Sequence, residues 1–405
     1  MTASGQLGEA GYCAKRFDAV QREFERNFSE RGEAGASVCV AHDGEIVVDL
    51  WGGEADDRPW DRDTLVVVFS CTKGATALCA HMLADRGELD LDAPVARYWP
   101  AFADSARAAL TVRMLLNHQA GLPGVSQPVG REVLIDFDAM VRLMEGERPL
   151  WRPGTRYGYH TLTFGWLVGE VVRRVSGQSL GTFFQREVAA PLGLDFWIGL
   201  PAEHEHRVAR SRYSSSEPSL GPDFEDALSA GDAIQMAARN SFGELLHLGG
   251  VDAPGVHAAE IPAGNGITNA RGLAGMYAPL SVGGTHHGTH LVGEPQLVQM
   301  IAVESAAYCD AVLFGPMRHS AGFQKASPGR SGSLGLGGPV LGESAFGHAG
   351  FGGAIGFADP DASLAFGYAM NRHAPAECEG QRHQPLIDAA YRSLGYRSAA
   401  GGKWR

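Results

Sequence analysis

Val66-Val67-Val68-Phe69-Ser70-Cys71-Thr72-Lys73-Gly74-Ala75-Thr76-Ala77-Leu78 changes character at its fifth residue. An apolar run of strand type leads into a serine. A lysine follows three residues later, and then an apolar segment of helical type. If the helix begins at or just before Ser70, residues 70 and 73 lie on one face, one turn apart. A hydroxyl and an amine then share one spot at the base of a helix that is apolar nearly all round, and so buried between layers. That is the layout of a Ser-x-x-Lys nucleophile, in which the lysine helps to deprotonate the serine. The same residues also fit a helix cap with an outward-snorkelling lysine. Composition leaves both readings open but sharpens the first. Of 34 cationic residues only Lys15, Lys73, Lys325 and Lys403 are lysines. Arginine serves where a fixed charge is wanted, so a lysine kept inside an apolar segment points to proton chemistry.

Working outward, 405 residues exceed one simple core and predict two lobes. With 44% hydrophobic and 20% charged residues the composition is globular. A net charge of −12 without any basic cluster argues against nucleic acid and against an anionic membrane surface. The six cysteines (Cys13, Cys39, Cys71, Cys79, Cys309, Cys378) form no C-x-x-C and no zinc spacing, which predicts free thiols in a reducing compartment. Residues 1–15 lack the apolar core of a signal peptide, and no run of 18 apolar residues occurs. The expectation is a cytoplasmic protein.

Phe17, Val20, Phe24 and Phe28 form one helical stripe over 15–32. Strands are expected at 36–42 and 45–51, joined by the hairpin turn Asp43-Gly44, and at Leu65–Phe69, which delivers Ser70. The helix from Ser70 should run to Arg86, with Gly87 beyond its end. From about residue 95 the pattern turns helical: a short helix capped by Thr111, then Phe137–Glu145, Thr161–Ser176, Leu180–Val188, Phe224–Arg239, Asn269–Leu280 and Pro295–Glu304. Strand character returns at Asp310–Phe314 and Ala321–Lys325. A Gly/Ser-rich loop is expected over 327–342, then a hairpin of Ala354–Phe357 and Leu364–Ala369. Pro385 should open a last helix that closes at Gly395. The simplest assembly is α+β. One antiparallel sheet is built from both chain ends, 1–95 and 305–405, with helices on its faces. A mainly helical lobe, 96–304, is inserted between, and the site lies between the two.

Two further stretches carry chemistry. In Pro153-Gly154-Thr155-Arg156-Tyr157-Gly158-Tyr159-His160-Thr161 a turn projects a tyrosine just before a helix. A phenol beside Lys73 could take the serine proton and return it, although such a tyrosine commonly just packs on the core. In Gly347-His348-Ala349-Gly350-Phe351-Gly352-Gly353 glycines permit close backbone approach. An amide there, with that of Ser70, would make an oxyanion hole.

Ser-x-x-Lys, a tyrosine after a Pro-Gly turn and a late His-x-Gly, in this order, resemble the serine β-lactamase and penicillin-binding-protein superfamily. More narrowly they resemble the class C β-lactamase-like family VIII carboxylesterases. Thr111–His118, Asn265–Arg271 and Gly356–Pro360 continuing to Phe366-Gly367-Tyr368 are similar to the same family, so the resemblance runs from about 15 to 395. It implies a β-lactamase-like fold and a serine hydrolase that cleaves small carboxylic esters through an acyl-enzyme. Ser70 would be the nucleophile, with Lys73 and Tyr159 as its proton-transfer pair. The amides of Ser70 and Phe351 would hold the oxyanion, and His160, Thr161, His348, Ala349 and Gly350 would border the substrate. No metal or cofactor is implied. Two departures bear on the substrate. Thr161 replaces the asparagine of the family's second motif, and His348-Ala349-Gly350 replaces Lys-Thr-Gly. A carboxamide and an ammonium that would grip a carboxylated lactam or peptide are gone, which points to neutral esters. Acyl transfer to an alcohol or amine, weak β-lactam hydrolysis and a catalytically silent scaffold are the rival readings. Gly177-Gln178-Ser179-Leu180-Gly181 fits G-x-S-x-G, but a helix precedes it, so Ser179 reads as an N-cap. His204/His206 and His286/His287/His290 read as solvated loop histidines. The oligomeric state is not written in the sequence.

Overall fold

Asp43 (φ 53°) and Gly44 (φ 81°) both adopt the left-handed backbone that a two-residue hairpin turn requires. They join β2 (Gly35–His42) to β3 (Glu45–Ala55) as an antiparallel pair. The computed structural model describes residues 11–213, 220–246, 250–253, 255–327, 339–374, 380–397, 399 and 403–405. Around that hairpin it builds one antiparallel sheet from the two ends of the chain. The other main strands are β1 (Gly11–Cys13), β4 (Ser305–Ala307), β5 (Met317–His319), β6 (Gln324–Lys325), β7 (Phe346–Ala349), β8 (Ile355–Asp359) and β9 (Leu364–Met370). Their order is β1-β3-β2-β9-β8-β7-β6-β5-β4, with Arg58–Pro59 branching from β3.

Helices cover both faces. On one lies α4 (Ala270–Ser281), packed on β2, β8 and β9. Its approach depends on Gly356 and Gly367, which pair across β8 and β9. A Cβ on Gly367 would lie 2.3 Å from the Ala270 carbonyl oxygen, and one on Gly356 would lie 3.0 Å from the Tyr277 ring. On the other face lie α1 (Asp18–Glu30) and α5 (Gly380–Ser393), packed together. Phe357, one residue on from Gly356, therefore points the opposite way and stacks on Tyr391 of α5.

The middle of the chain is helical. There α2 (Thr72–Asp85) packs on α3 (Thr163–Ser176). α2 is buried from Thr72 through Leu83, as its all-round apolar sequence predicts. Thr111 caps the short helix Val112–Leu116 by accepting from the Met114 amide. Ser179 caps Leu180–Phe184 after α3, so it is an N-cap and not a nucleophile elbow.

Several boundaries differ from the sequence reading. Leu65–Phe69 is not part of the main sheet: Val66–Val67 pairs with Ile267–Thr268, which also takes Phe196–Trp197. Asp310–Phe314 is a turn, because the Asp310 carboxylate collects the amides of Val312 and Leu313 and curls the chain. Phe224–Arg239 breaks at Gly231 (φ 79°) into Pro222–Ser229 and Ala233–Leu246. After Leu180–Phe184 the chain widens into a π-turn over Gln185–Ala189. The last helix starts at Gly380, so Pro385 lies inside it and removes one donor from the ladder. Most of the 327–342 loop, and Cys378, lie outside the described residues.

Candidate active site

The turn that carries Ser70 is held under strain. Phe69 adopts φ 45°, a backbone region that side-chain-bearing residues avoid, and Phe69–Cys71 forms one 3-10 turn running into α2. Its neighbours fix it. The Val68 amide donates to the Gly266 carbonyl, and the Gly266 amide donates to Thr72 Oγ1. Cys71 Sγ donates to the His348 carbonyl on β7 at 3.2 Å. Thr76 Oγ1 donates to the Pro262 carbonyl.

One turn past Ser70, at the start of α2, Lys73 places Nζ 2.9 Å from Ser70 Oγ and 3.0 Å from the Ala263 carbonyl oxygen. The side chain is fully buried. Burial pushes the ammonium well below the ordinary lysine range, opposed by the Cys71 thiol. A neutral amine can accept the Ser70 proton, which an ammonium cannot.

Tyr159 stands against this pair. Its ring centre is 4.8 Å from Lys73 Nζ, and its hydroxyl is 3.5 Å from His348 Nε2. Tyr157 faces elsewhere, with its hydroxyl 2.7 Å from His319 Nδ1. The Tyr159 turn is anchored from the far end of the chain: its amide donates to Asp310 Oδ2 at 2.9 Å, while Oδ1 takes the amides of Val312 and Leu313. Burial of that carboxyl raises its pKa to about 6, opposed by the three amides and Arg156.

Imidazoles surround the tyrosine. His348 Nδ1 donates to the Ala349 carbonyl at 2.7 Å, so Nε2 is the acceptor facing Tyr159. Burial, and then the neighbouring Lys73, push His348 well below the usual histidine range. His118 stacks near Tyr159 with ring centres 4.9 Å apart, and its Nδ1 accepts from the His160 amide. Burial and the neighbouring His319 hold it uncharged. His319 is pushed down to about 3 by burial and then Lys73.

Of the residues singled out from sequence, Ser70, Lys73, Tyr159 and His348 converge in one cluster. Ala349 donates its amide to Gln324 Oε1. Gly350 presses on the turn that carries Ser70: a Cβ there would sit 2.2 Å from the Val68 carbonyl oxygen. Phe351 meets Phe69 edge-on at 5.5 Å. Thr161 is buried, and its Oγ1 has no hydrogen-bond partner among the described residues. His160 stands behind the tyrosine turn. Its Nδ1 donates to the Gly158 carbonyl and its Nε2 accepts from the Leu122 amide, so both nitrogens serve backbone. Sequence reasoning did not single out Asp310, Ala263, Gln324 or His319. Ala263 contributes only a backbone carbonyl, for which side-chain chemistry leaves no trace.

The family model described as Beta-lactamase matches residues 21–391. The chain is 36% identical over 377 residues to the esterase/beta-lactamase LipL of Mycobacterium tuberculosis (strain ATCC 25618 / H37Rv), covering 89% of this chain and 82% of that protein. The crystal structure of a family VIII carboxylesterase superposes with TM-score 0.82 at 38% identity, over 95% of this chain and 99% of the other. A penicillin-binding-protein homolog from Caulobacter crescentus superposes with TM-score 0.83 at 36% identity, again over 95% and 99%. A family match across most of the sheet and all of the clustered residues, joined by full-length structural likeness at these identities, has one meaning: the chain belongs to the β-lactamase family and carries its β-lactamase-like fold.

Proposed function

We propose that the protein is a serine carboxylesterase that cleaves small neutral esters through an acyl-enzyme on Ser70. The observation that carries this reading is the 2.9 Å contact between Ser70 Oγ and the fully buried amine of Lys73. The Ser70 hydroxyl gives its proton to the Lys73–Tyr159 pair, and Oγ bonds to the ester carbonyl carbon. The amides of Ser70 and Phe351 take the oxyanion. Support for that role is the tight packing of Gly350 on Val68, which brings the 350–351 backbone onto the nucleophile turn. As the tetrahedral intermediate collapses, the bond to the alcohol breaks and the pair returns the proton to the leaving oxygen. Water then adds to the acyl-enzyme, with Tyr159 as base, and releases the acid and free Ser70.

The preference for a neutral substrate rests on charge. His348 holds the place of a lysine and is kept uncharged by burial, so it offers no fixed cation to a carboxylate. Thr161 supplies a hydroxyl where a carboxamide would be needed. We place the substrate between the lobe of 1–95 with 305–405, which supplies Ser70, Lys73 and Phe351, and the lobe of 96–304, which supplies Tyr159. Ala349, Gly350 and His160 back the walls. The esterase names of relatives support the same activity. No described helix is long and apolar enough to cross a membrane, and the proposed partner is a small-molecule ester.

Hydrolysis of p-nitrophenyl butyrate by the wild type and by Ser70→Ala tests this. The expected loss is at least about 1,000-fold, and full retention would refute the assignment. The name of LipL couples esterase with β-lactamase, so weak nitrocefin turnover, abolished by the same substitution, is the second reading to measure.

A further inference from the structure

The turn of one hairpin meets the turn of another on the surface. Glu45 begins β3 just after the Asp43-Gly44 turn. His286 and His287 lie where Thr285–His286 pairs with Thr289–His290. Neighbouring residues of an extended strand point to opposite sides. Here His287 adopts φ 45°, which folds its ring back over that of His286, with centres 3.8 Å apart. His286 is packed down by the other hairpin: a Cβ on Gly44 would sit 2.4 Å from its Cε1. Glu45 Oε1 then lies 3.1 Å from His287 Nε2 and 4.0 Å from His286 Nε2. One donor atom from each of the three residues falls within 4.8 Å of the other two. The nearby His290 is otherwise engaged, between Thr285 Oγ1 and Asp85.

Read alone, these histidines are solvated loop residues; the fold adds the carboxylate. We propose that Glu45, His286 and His287 form a surface site for a divalent transition-metal ion of the zinc class. Two imidazoles and one carboxylate suit borderline ions such as Zn2+, Ni2+ and Cu2+, not the all-oxygen preference of Ca2+ or Mg2+. Ligand bonds of about 2.0–2.1 Å place tetrahedral donors about 3.4 Å apart. The Glu45–His287 separation already meets this. His287 and Glu45 are about 70% exposed, at 72% and 68%, and so can swing in, while His286, at 18%, is the fixed point. A bound ion would staple the β2–β3 hairpin to the 285–290 hairpin, with water completing its shell.

Titration of the tag-free full-length protein with Zn2+ by calorimetry tests the site. The expected result is one ion bound with Kd of about 10 µM or tighter. Binding should weaken at least about tenfold in Glu45→Gln and in His287→Ala, both at exposed positions. Zinc should also raise the wild-type melting temperature, and not that of the variants. Binding weaker than about 10 µM, or affinity unchanged in the two variants, would overturn the proposal. Ester hydrolysis by both variants at the wild-type rate separates this site from the Ser70 chemistry.

Discussion

Among single residues, position 73 is where the identity of the cation matters most to the proposed chemistry. Arginine cannot release its proton in a protein, whereas a desolvated lysine can. Lys73→Arg should therefore lower kcat/KM for ester hydrolysis by about 1,000-fold or more, although it keeps the charge of an ordinary lysine. Near-wild-type turnover would show that the amine only positions Ser70. The same burial has a stability consequence. Lys73 has its folded pKa lowered, so the unfolded chain binds the proton more tightly, and stability falls as pH drops from the lysine range toward neutrality. Lys73→Met removes that penalty. It should be inactive yet melt a few degrees higher at pH 7, as scanning calorimetry would reveal. Position 73 was legible in the sequence because lysines are rare in this chain. The choice of Tyr159 came from the resemblance, whose family places its catalytic tyrosine at this point after the Pro-Gly turn; Tyr157 turns its hydroxyl to His319. His160, its sequence neighbour, serves backbone on both nitrogens, which no local pattern announces.

Elements position these residues, and here the sequence was partly opaque. The Asp43-Gly44 hairpin, the buried α2 and the Thr111 cap follow from local chemistry, and they formed where expected. The 310–314 segment did not. Its apolar residues suggested a strand, but the Asp310 carboxylate draws three amides to itself, one of them from Tyr159 across 151 residues. Such a long-range anchor has no local pattern. Asp310→Ala should release the tyrosine turn and lower kcat by about tenfold or more, with a smaller change in KM. An unchanged kcat would mean that the turn is held by other contacts. Gly350 offers a second test at this scale. Gly350→Ala places a methyl against the Val68 carbonyl oxygen, which is backbone and cannot step aside. It should cost about 1–3 kcal/mol, measured by denaturant unfolding, and depress turnover by shifting the Ser70 turn.

Across the whole molecule the sheet from both chain ends was readable, because strand patterning brackets a helical middle. The detachment of Val66–Val67 into a small separate sheet was not, since three valines look alike in either place. The folded chain also buries many histidines, which sets its acid stability. His81, His160, His373 and His383 are pushed down to about 4 and His319 to about 3, in each case first by burial. Unfolded, each titrates near ~6.5, so the unfolded state binds more protons below that pH and stability is lost as pH falls. At pH 5 each group costs about 2 kcal/mol relative to pH 7. Asp310, raised to about 6, acts in the opposite sense, as do the buried carboxyls of Glu33 and Asp359 and the half-buried one of Glu304. The histidines dominate between pH 6.5 and 5. The melting temperature should drop by about 5 °C or more from pH 7 to pH 5, and a flat or rising profile would contradict this balance.

A covalent probe reads the readiness of Ser70 outright. Treatment of the wild type with a fluorophosphonate, followed by intact mass and peptide mapping, should show one phosphonyl group per chain on the Ser70 peptide, with no labelling of Lys73→Arg on the same timescale. A label on another serine, or undiminished labelling of the arginine variant, would contradict the account of a serine readied by a buried, uncharged amine.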